Sequence, residues 1–85
     1  MNQENRLGVV AVILENPAVI QQKVNQIISE AGEIIIGRMG IPNHDRNLAT
    51  IALIVEGPED KINTLTGRLG NIYGVSARAT MAKKS

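Results

Sequence analysis

The sequence predicts an α+β domain with the element order βαββαβ, in which a four-stranded antiparallel sheet carries two helices on one face, the ferredoxin-like arrangement. A repeated phrase predicts this order: Ala11-Val-Ile-Leu-Glu-Asn-Pro17 returns as Ala52-Leu-Ile-Val-Glu-Gly-Pro58, with Pro58 lying 41 residues after Pro17. An apolar strand followed by a helix-opening proline therefore occurs twice. Each copy is followed by an amphipathic stretch and a further β-rich run, which completes two strand-helix-strand units.

The first unit begins with the apolar run Leu7–Glu15, which reads as a strand buried on both faces. Asn16 is a preferred N-cap and Pro17 suits the first helical position, so a helix begins there. The apolar stripe of this helix recurs at helical spacing and consists of Ile20, Val24, Ile27, Ile28 and Ala31. Gly32 suits the position that closes the helix. A second strand is predicted over Glu33–Gly40, where Gly37 favours an edge or bulged position.

The second unit begins with a strand over Leu48–Glu56, again apolar on both faces. Pro58 is expected at the first position of the second helix, whose buried stripe is Ile62, Leu65 and Leu69. Gly67 within this helix predicts a close backbone approach or an early end. The alternation over Val75–Met81 predicts a fourth strand with one wet face.

The composition fits one domain over residues 1–85, with flexible tails at 1–5 and 83–85. The chain holds one Tyr, no Phe and no Trp, so aliphatic side chains fill a thin core that oligomerisation would support. The absence of cysteine excludes disulfides and thiolate metal sites, and a net charge of +1 gives no field to gather nucleic acid or anionic membrane. The polar N-terminus and the short apolar run at 7–14 predict a cytoplasmic protein without a membrane partner.

The apolar central strands predict a subunit interface. Helices cover only one sheet face, so one parity of both strands would face water in a monomer, and exposed apolar patches of that size mark interfaces. We therefore expect a homo-dimer or tetramer formed through sheet faces. The residues expected in this interface are Val10, Val12, Leu14, Ala52 and Ile54. If the strands are turned the other way, their neighbours of opposite parity form it instead. The alternative is that the open face is tolerated or covered by the tails.

Two phrases resemble a known family: Leu65-Thr-Gly-Arg-Leu-Gly-Asn-Ile-Tyr-Gly-Val75 and Arg38-Met-Gly-Ile-Pro42. Together with the arrangement of elements over residues 6 to 82, they resemble stand-alone ferredoxin-like proteins catalogued as iron-only hydrogenase system regulators. That family is grouped by fold with ACT domains and with the C-terminal domain of the nickel-responsive repressor. The resemblance implies an oligomeric module that senses a ligand or regulates a partner.

The nickel site of that repressor does not transfer, because it uses several His and a Cys whereas this chain has one His and no Cys. We expect no metal and no cofactor. The five or six residues before the first strand are too few for the repressor's ribbon-helix-helix, so we expect no direct nucleic-acid binding by this chain alone. The central strands also lack the aromatics with which sheets of this topology stack RNA bases.

ACT-like assemblies often bind effectors near the turn between strand one and helix one, at subunit interfaces. Carried over, this resemblance implies a small-molecule site at Glu15, Asn16 and Ala18. The connection that carries His44, Asp45 and Arg46 is expected at the same end of the sheet. The simpler interpretation of that connection is a solvated loop, and contact with a ligand or a regulatory protein partner is the alternative.

No catalytic constellation is recognised, so we expect no enzyme. Glu15 and Glu56 end antiparallel neighbouring strands and must lie at opposite ends of the sheet, too far apart to act as paired carboxylates. The glycines at 67, 70 and 74 close a helix instead of opening one, which favours C-cap and close-packing positions over a phosphate-binding loop. Two functions of other classes remain: a ligand-sensing regulatory module, and a structural or accessory protein that scaffolds a partner complex.

Overall fold

The computed structural model describes residues 5–83 and confirms the order βαββαβ. The elements are β1 (Asn5–Glu15), α1 (Pro17–Glu30), β2 (Ile35–Asn43), β3 (Leu48–Pro58), α2 (Glu59–Gly70) and β4 (Val75–Met81). Short 3-10 turns precede β2 at Gly32–Ile34 and β3 at His44–Arg46. Of the predicted tails, residues 1–4 and 84–85 lie outside the described residues, and Asn5 already belongs to β1.

The four strands form one antiparallel sheet in the order β2-β3-β1-β4, so the two repeated apolar strands lie at its centre as predicted. Their register places Ala11 of β1 opposite Ala52 of β3, at the midpoint of both strands. It also places Glu15 opposite Leu48 and Glu56 opposite Leu7. The two glutamates therefore lie at opposite ends of the sheet, which confirms the argument against paired carboxylates.

Register also decides which residues of the central strands face the helices. Val10, Val12 and Leu14 are at most 2% exposed and form the core with buried side chains of α1 and α2. The prediction that these three β1 residues form an interface is therefore wrong, because the monomer's own helices cover them. Ala52 is partly buried and Ile54 is 38% exposed, and both lie on the uncovered face.

The core is entirely aliphatic. Its members come from both helices, three strands, the 3-10 turn before β2 and the turn before β4, and they are Val10, Val12, Leu14, Val24, Ile27, Ile28, Ile34, Ile51, Leu53, Val55, Ile62, Leu65, Leu69, Ile72 and Val75. The single aromatic residue, Tyr73, is 96% exposed in the turn before β4. Neither described helix is long and apolar enough to cross a bilayer.

The helix ends differ in detail from the predictions. Pro17 opens α1, but Asn16 adopts the left-handed conformation and its side chain makes no capping hydrogen bond. The helix α2 begins at Glu59, one residue after the predicted Pro58, which is its N-cap. The close approach predicted at Gly67 is wrong, since a Cβ added there meets nothing within 4 Å and α2 continues to Gly70.

The predicted irregularity of the second strand is confirmed. The strand β2 lies at the sheet edge, and its register with β3 shifts between Ile35 and Gly37, which marks a β-bulge at Ile36. The extra residue bends the edge strand and interrupts its ladder, a common way of blunting a sheet edge. A close backbone approach occurs instead at Gly8, where an added Cβ would stand 2.7 Å from the Thr80 carbonyl oxygen.

Candidate functional site

Two loops meet at the end of the sheet where β1 stops. Asn16, between β1 and α1, donates its backbone N–H to the carbonyl oxygen of Asn47 at 3.0 Å. The Asn47 side chain returns a hydrogen bond, its Nδ2 donating to Asn16 Oδ1 at 3.0 Å. The two asparagines thus join the turn after β1 to the loop before β3.

Both asparagines adopt the left-handed conformation, with φ of 53° at Asn16 and 54° at Asn47. Asparagine tolerates this conformation better than most residues with a Cβ, which explains the residue type at both positions. On the other side of the turn, the Glu15 backbone N–H donates to the Gly74 carbonyl oxygen at 2.8 Å. The turn after β1 is therefore held from two sides.

A cleft of about 270 Å³ lies between these loops and the start of α1. Its lining combines small and apolar residues with residues that carry amide and imidazole groups. The lining residues are Pro17, Ala18, Gln21, Pro42, Asn43, His44, Asn47, Leu48 and Ala49. Segments that are distant in the sequence thus enclose one concave surface.

The structure brings together only part of the predicted ligand site. Ala18 and His44 line the cleft, and Asn16 borders it through its hydrogen bonds with Asn47. The other three predicted residues, Glu15, Asp45 and Arg46, are exposed and are not among the lining residues. Glu15 shares its strand parity with Ile13 and lies toward the uncovered sheet face.

Sequence reasoning missed three polar residues of the cleft: Gln21, Asn43 and Asn47. Asn43 also stabilises the turn that carries His44, because its Oδ1 accepts a hydrogen bond from the backbone N–H of Arg46 at 3.3 Å. An asparagine on each side of a three-residue turn is a recognisable signal for such loop hydrogen bonds. Gln21 gave no signal, because a polar residue in an amphipathic helix is ordinarily solvated.

The chemistry of the cleft is suited to binding. Amide groups donate and accept hydrogen bonds, and the His44 imidazole adds ring nitrogens that can donate or accept a hydrogen bond. Within residues 5–83 no group of three or more His, Asp and Glu residues is placed to hold a metal ion. The cleft therefore offers hydrogen bonding and apolar contact to a small polar molecule.

A second groove, of about 170 Å³, separates the end of α1 from α2. Two ion pairs cross it: Arg68 donates to Glu30 at 2.8 Å, and Lys61 donates to Glu33 at 2.5 Å. These hydrogen bonds lower the pKa of the Glu30 and Glu33 carboxyls below the ordinary value of 4.5 and raise the pKa of Lys61 above 10.5. The charged groups of the groove thus pair with one another, and the two pairs join α2 to the end of α1 and to the 3-10 turn that follows it.

The uncovered sheet face is largely apolar. Ala11 and Ala52 lie on this face, and the register places further apolar side chains on it that are 38% to 61% exposed. These include Leu7, Ile13, Ile54, Met39 and Ile41. A shallow depression of about 480 Å³ lies at one end of this face, lined in part by Leu7, Val9 and Ile54. The outer strand β4 contributes only the polar residues Ser76, Arg78 and Thr80 to this face.

Solved structures share this fold. An uncharacterised protein of Thermotoga maritima, TM1266, is 30% identical over 94% of this chain and 100% of its own, with a TM-score of 0.89. A PII-like signalling protein of Thermus thermophilus is 16% identical, covers 94% of this chain and 90% of its own, and has a TM-score of 0.66. The PII-like protein CPII of Thiomonas intermedia K12, solved with ADP, AMP and bicarbonate, is 17% identical over 93% of this chain and 92% of its own, with a TM-score of 0.55.

A family model identifies the chain more specifically than the shared fold does. A search of the curated proteins finds no match. The family model described as "TM1266-like: Iron-only hydrogenase system regulator, putative" matches residues 6–79, nearly all of the described chain. The phrases around Arg38–Pro42 and Leu65–Val75, which carried the resemblance in the sequence, both lie within this match. The chain therefore belongs to the TM1266-like family of iron-only hydrogenase system regulators.

Proposed function

We propose that this protein is a homo-oligomeric regulatory module that binds a small polar effector in the cleft and performs no chemistry of its own. The single observation that carries the proposal is the convergence of the turn after β1 with the His44 loop around one cleft, held by the Asn16 and Asn47 hydrogen bonds. Membership of a regulator family supports the same role.

The cleft favours an effector that presents both hydrogen-bonding groups and a compact apolar part. Gln21, Asn43 and Asn47 supply amides, whereas Leu48 and Ala49 offer apolar contact. The volume of about 270 Å³ is slightly below that of typical small-molecule pockets, which start at about 300 Å³. An amino acid, or one part of a nucleotide, is of suitable size. The adenine nucleotides and bicarbonate bound by CPII extend the set of molecules to be tried.

Thermal unfolding in the presence of candidate effectors tests this proposal. A ligand that binds only the native state raises the melting temperature, by an amount that grows with its concentration relative to Kd. The panel comprises amino acids, adenine nucleotides, bicarbonate and divalent metal ions. Stabilisation by an amino acid or nucleotide is expected, and no shift with any member of the panel would contradict effector binding.

Substitutions at two adjacent glutamines test whether the effector binds in the cleft. Gln21 lines the cleft, whereas Gln22 is exposed on α1 and is not a lining residue. Gln21→Leu should remove the ligand-induced shift, and Gln22→Leu, which makes the same chemical change one residue away, should retain it. Equal shifts in both variants would place the effector elsewhere.

The oligomeric part of the proposal is supported by the apolar uncovered face. Ile54 lies near the centre of that face and is partly exposed, so a charge there can be accommodated by the monomer but not by a sheet-to-sheet contact. Ile54→Asp should give a folded monomer in sedimentation, while the unmodified chain sediments as a dimer or tetramer. A monomeric unmodified chain at high micromolar concentration would contradict this part.

The same apolar face favours a second function, that of an accessory protein which scaffolds a partner complex without any small molecule. Under that function the effector panel leaves the melting temperature unchanged, whereas Ile54→Asp still abolishes assembly. The thermal-shift and sedimentation results together therefore distinguish a sensor from a scaffold.

A further inference from the structure

The uncovered face carries few charged side chains, and the described structure leaves them unpaired. Strand register places Arg78, Glu15 and Glu56 on this face, and within residues 5–83 none of the three takes part in an ion pair. By contrast, Glu30, Glu33 and Glu59 elsewhere on the surface each have a cationic partner. Among the described residues, the face thus holds one cation and two anions that have no ion-pair partner.

The three charges have a fixed arrangement. Arg78 lies opposite Ala11, in the middle row of the face, which continues through Ala52 to Met39. Glu15 and Glu56 lie four residues from that row in opposite directions, a distance of roughly 14 Å along the strands. This separation is too large for Arg78 to pair with either carboxylate of its own subunit.

A contact between two apolar sheet faces would enclose Arg78. Burying an unpaired guanidinium is costly, whereas pairing it with a carboxylate recovers much of the cost. A second copy of this chain presents two such carboxylates on the same kind of apolar surface. In a two-fold contact every interaction occurs twice, so one charge pairing would be made symmetrically.

The dimensions of the face are adequate for such a contact. Four strands about 4.8 Å apart, over the length from Leu7 to Glu15, give a face on the order of 500 Å² in projection. The smaller specific interfaces bury about 600 Å² per partner, and a corrugated sheet exposes more area than its projection. The uncovered face is therefore close to the size that a small dimer requires.

We propose that the occupant of the uncovered face is a second copy of this chain, and that Arg78 of each copy pairs with a carboxylate, Glu15 or Glu56, of the other. This inference rests on the oligomer of the proposed function. It adds the charge pair by which one copy of the chain recognises another. Apolar contact supplies the attraction, and the charge pair rejects apolar surfaces that lack a carboxylate at that position.

Sedimentation equilibrium of charge-reversal variants tests the pairing. Arg78→Glu should raise the dimer Kd at least tenfold at low salt, because two symmetric pairs become repulsive. Lys23→Glu makes the same change in net charge on exposed α1 and should leave Kd within twofold. Adding Glu15→Arg or Glu56→Arg to Arg78→Glu should restore the dimer, and the variant that does so identifies the partner carboxylate.

The outcomes separate this inference from the proposed function. A monomeric unmodified chain overturns both. A dimer that Ile54→Asp dissociates, but that Arg78→Glu weakens no more than Lys23→Glu does, overturns the pairing alone. Failure of both compensating changes, with circular dichroism showing folded variants, also overturns it.

Discussion

Asn16 and Asn47 hold each other across 31 residues of sequence through two hydrogen bonds of 3.0 Å, one from backbone to backbone and one from side chain to side chain. Both residues have positive φ, so the contact joins two left-handed turns. One turn starts α1 and the other starts β3, and together they form a wall of the cleft. This pair joins the two loops between which the cleft lies.

Replacing Asn47 by glycine should therefore destabilise the protein less than replacing it by alanine, the reverse of the usual order for these two residues. Asn47→Gly loses one exposed side-chain hydrogen bond, worth about 0.5 to 1.5 kcal/mol, but retains the left-handed backbone without strain. Asn47→Ala loses the same bond and adds roughly 1 kcal/mol of backbone strain. Urea unfolding should rank the alanine variant below the glycine variant. The opposite rank would show that Asn47 is not held in the left-handed conformation.

Two glycine substitutions should have opposite signs. Gly67→Ala lies in α2 with open space around the new methyl group, and should stabilise by about 0.5 to 1 kcal/mol. Gly8→Ala places a methyl group 2.7 Å from the Thr80 carbonyl oxygen, a backbone atom that cannot turn away. It should destabilise by roughly 1 to 3 kcal/mol. Chemical denaturation measures both, and a stabilising Gly8→Ala would contradict the close pairing of β1 with β4.

Adjacent residues of β1 should respond differently to aspartate. Val12 is fully buried beneath the helices, so Val12→Asp buries a carboxylate without a partner and should cost several kcal/mol, enough to unfold a domain of this size. Ile13 is 44% exposed on the other face, so Ile13→Asp should remain folded. Circular dichroism distinguishes these results. Two folded variants, or two unfolded ones, would contradict the assigned parity.

The interhelical ion pairs should make stability depend on pH in acid. Glu30 and Glu33 have pKa values lowered by their cationic partners, so their contribution is complete above the ordinary value of 4.5. It is lost as the pH falls through the lower folded-state pKa values. The urea midpoint should fall in that range, and less steeply in the double variant Glu30→Gln, Glu33→Gln. An unchanged pH profile in the double variant would contradict the pairing.

Lys61 should act in the opposite direction at high pH. Its pKa is raised above 10.5 by Glu33, so its contribution is complete below that value and disappears as the pH rises through the folded-state pKa. Because the pair is exposed, added salt should reduce the effect. Chemical denaturation in alkali with Lys61→Gln as control measures it. A steeper loss of stability in the control variant would contradict the assignment.

Much of the fold was predictable because local signals agree with one another. A proline after each apolar strand marks the start of a helix. The stripe from Ile20 to Ile28 specifies α1, and the alternation over Val75–Met81 specifies β4. Short connections then leave few topologies. The candidate site was less predictable. The resemblance to ACT-like assemblies pointed to Ala18, and chain topology placed the connection carrying His44 at the same end of the sheet. Gln21, Asn43 and Asn47 line the cleft only because of the way the loops close.

The sequence by itself determined the element order, the central position of the repeated strands and the presence of an apolar sheet face that the helices leave uncovered. Tertiary structure decided which residues form that face. A strand that is apolar on both sides has no period-two signal to orient it, so register with its neighbour must do so. Pairing Ala11 with Ala52 puts Ile13 and Ile54 on one face and Val10, Val12 and Leu14 on the other, and packing of the helices then buries the second set. The contact between Asn16 and Asn47 was decided in the same way, since only the folded sheet brings their turns together.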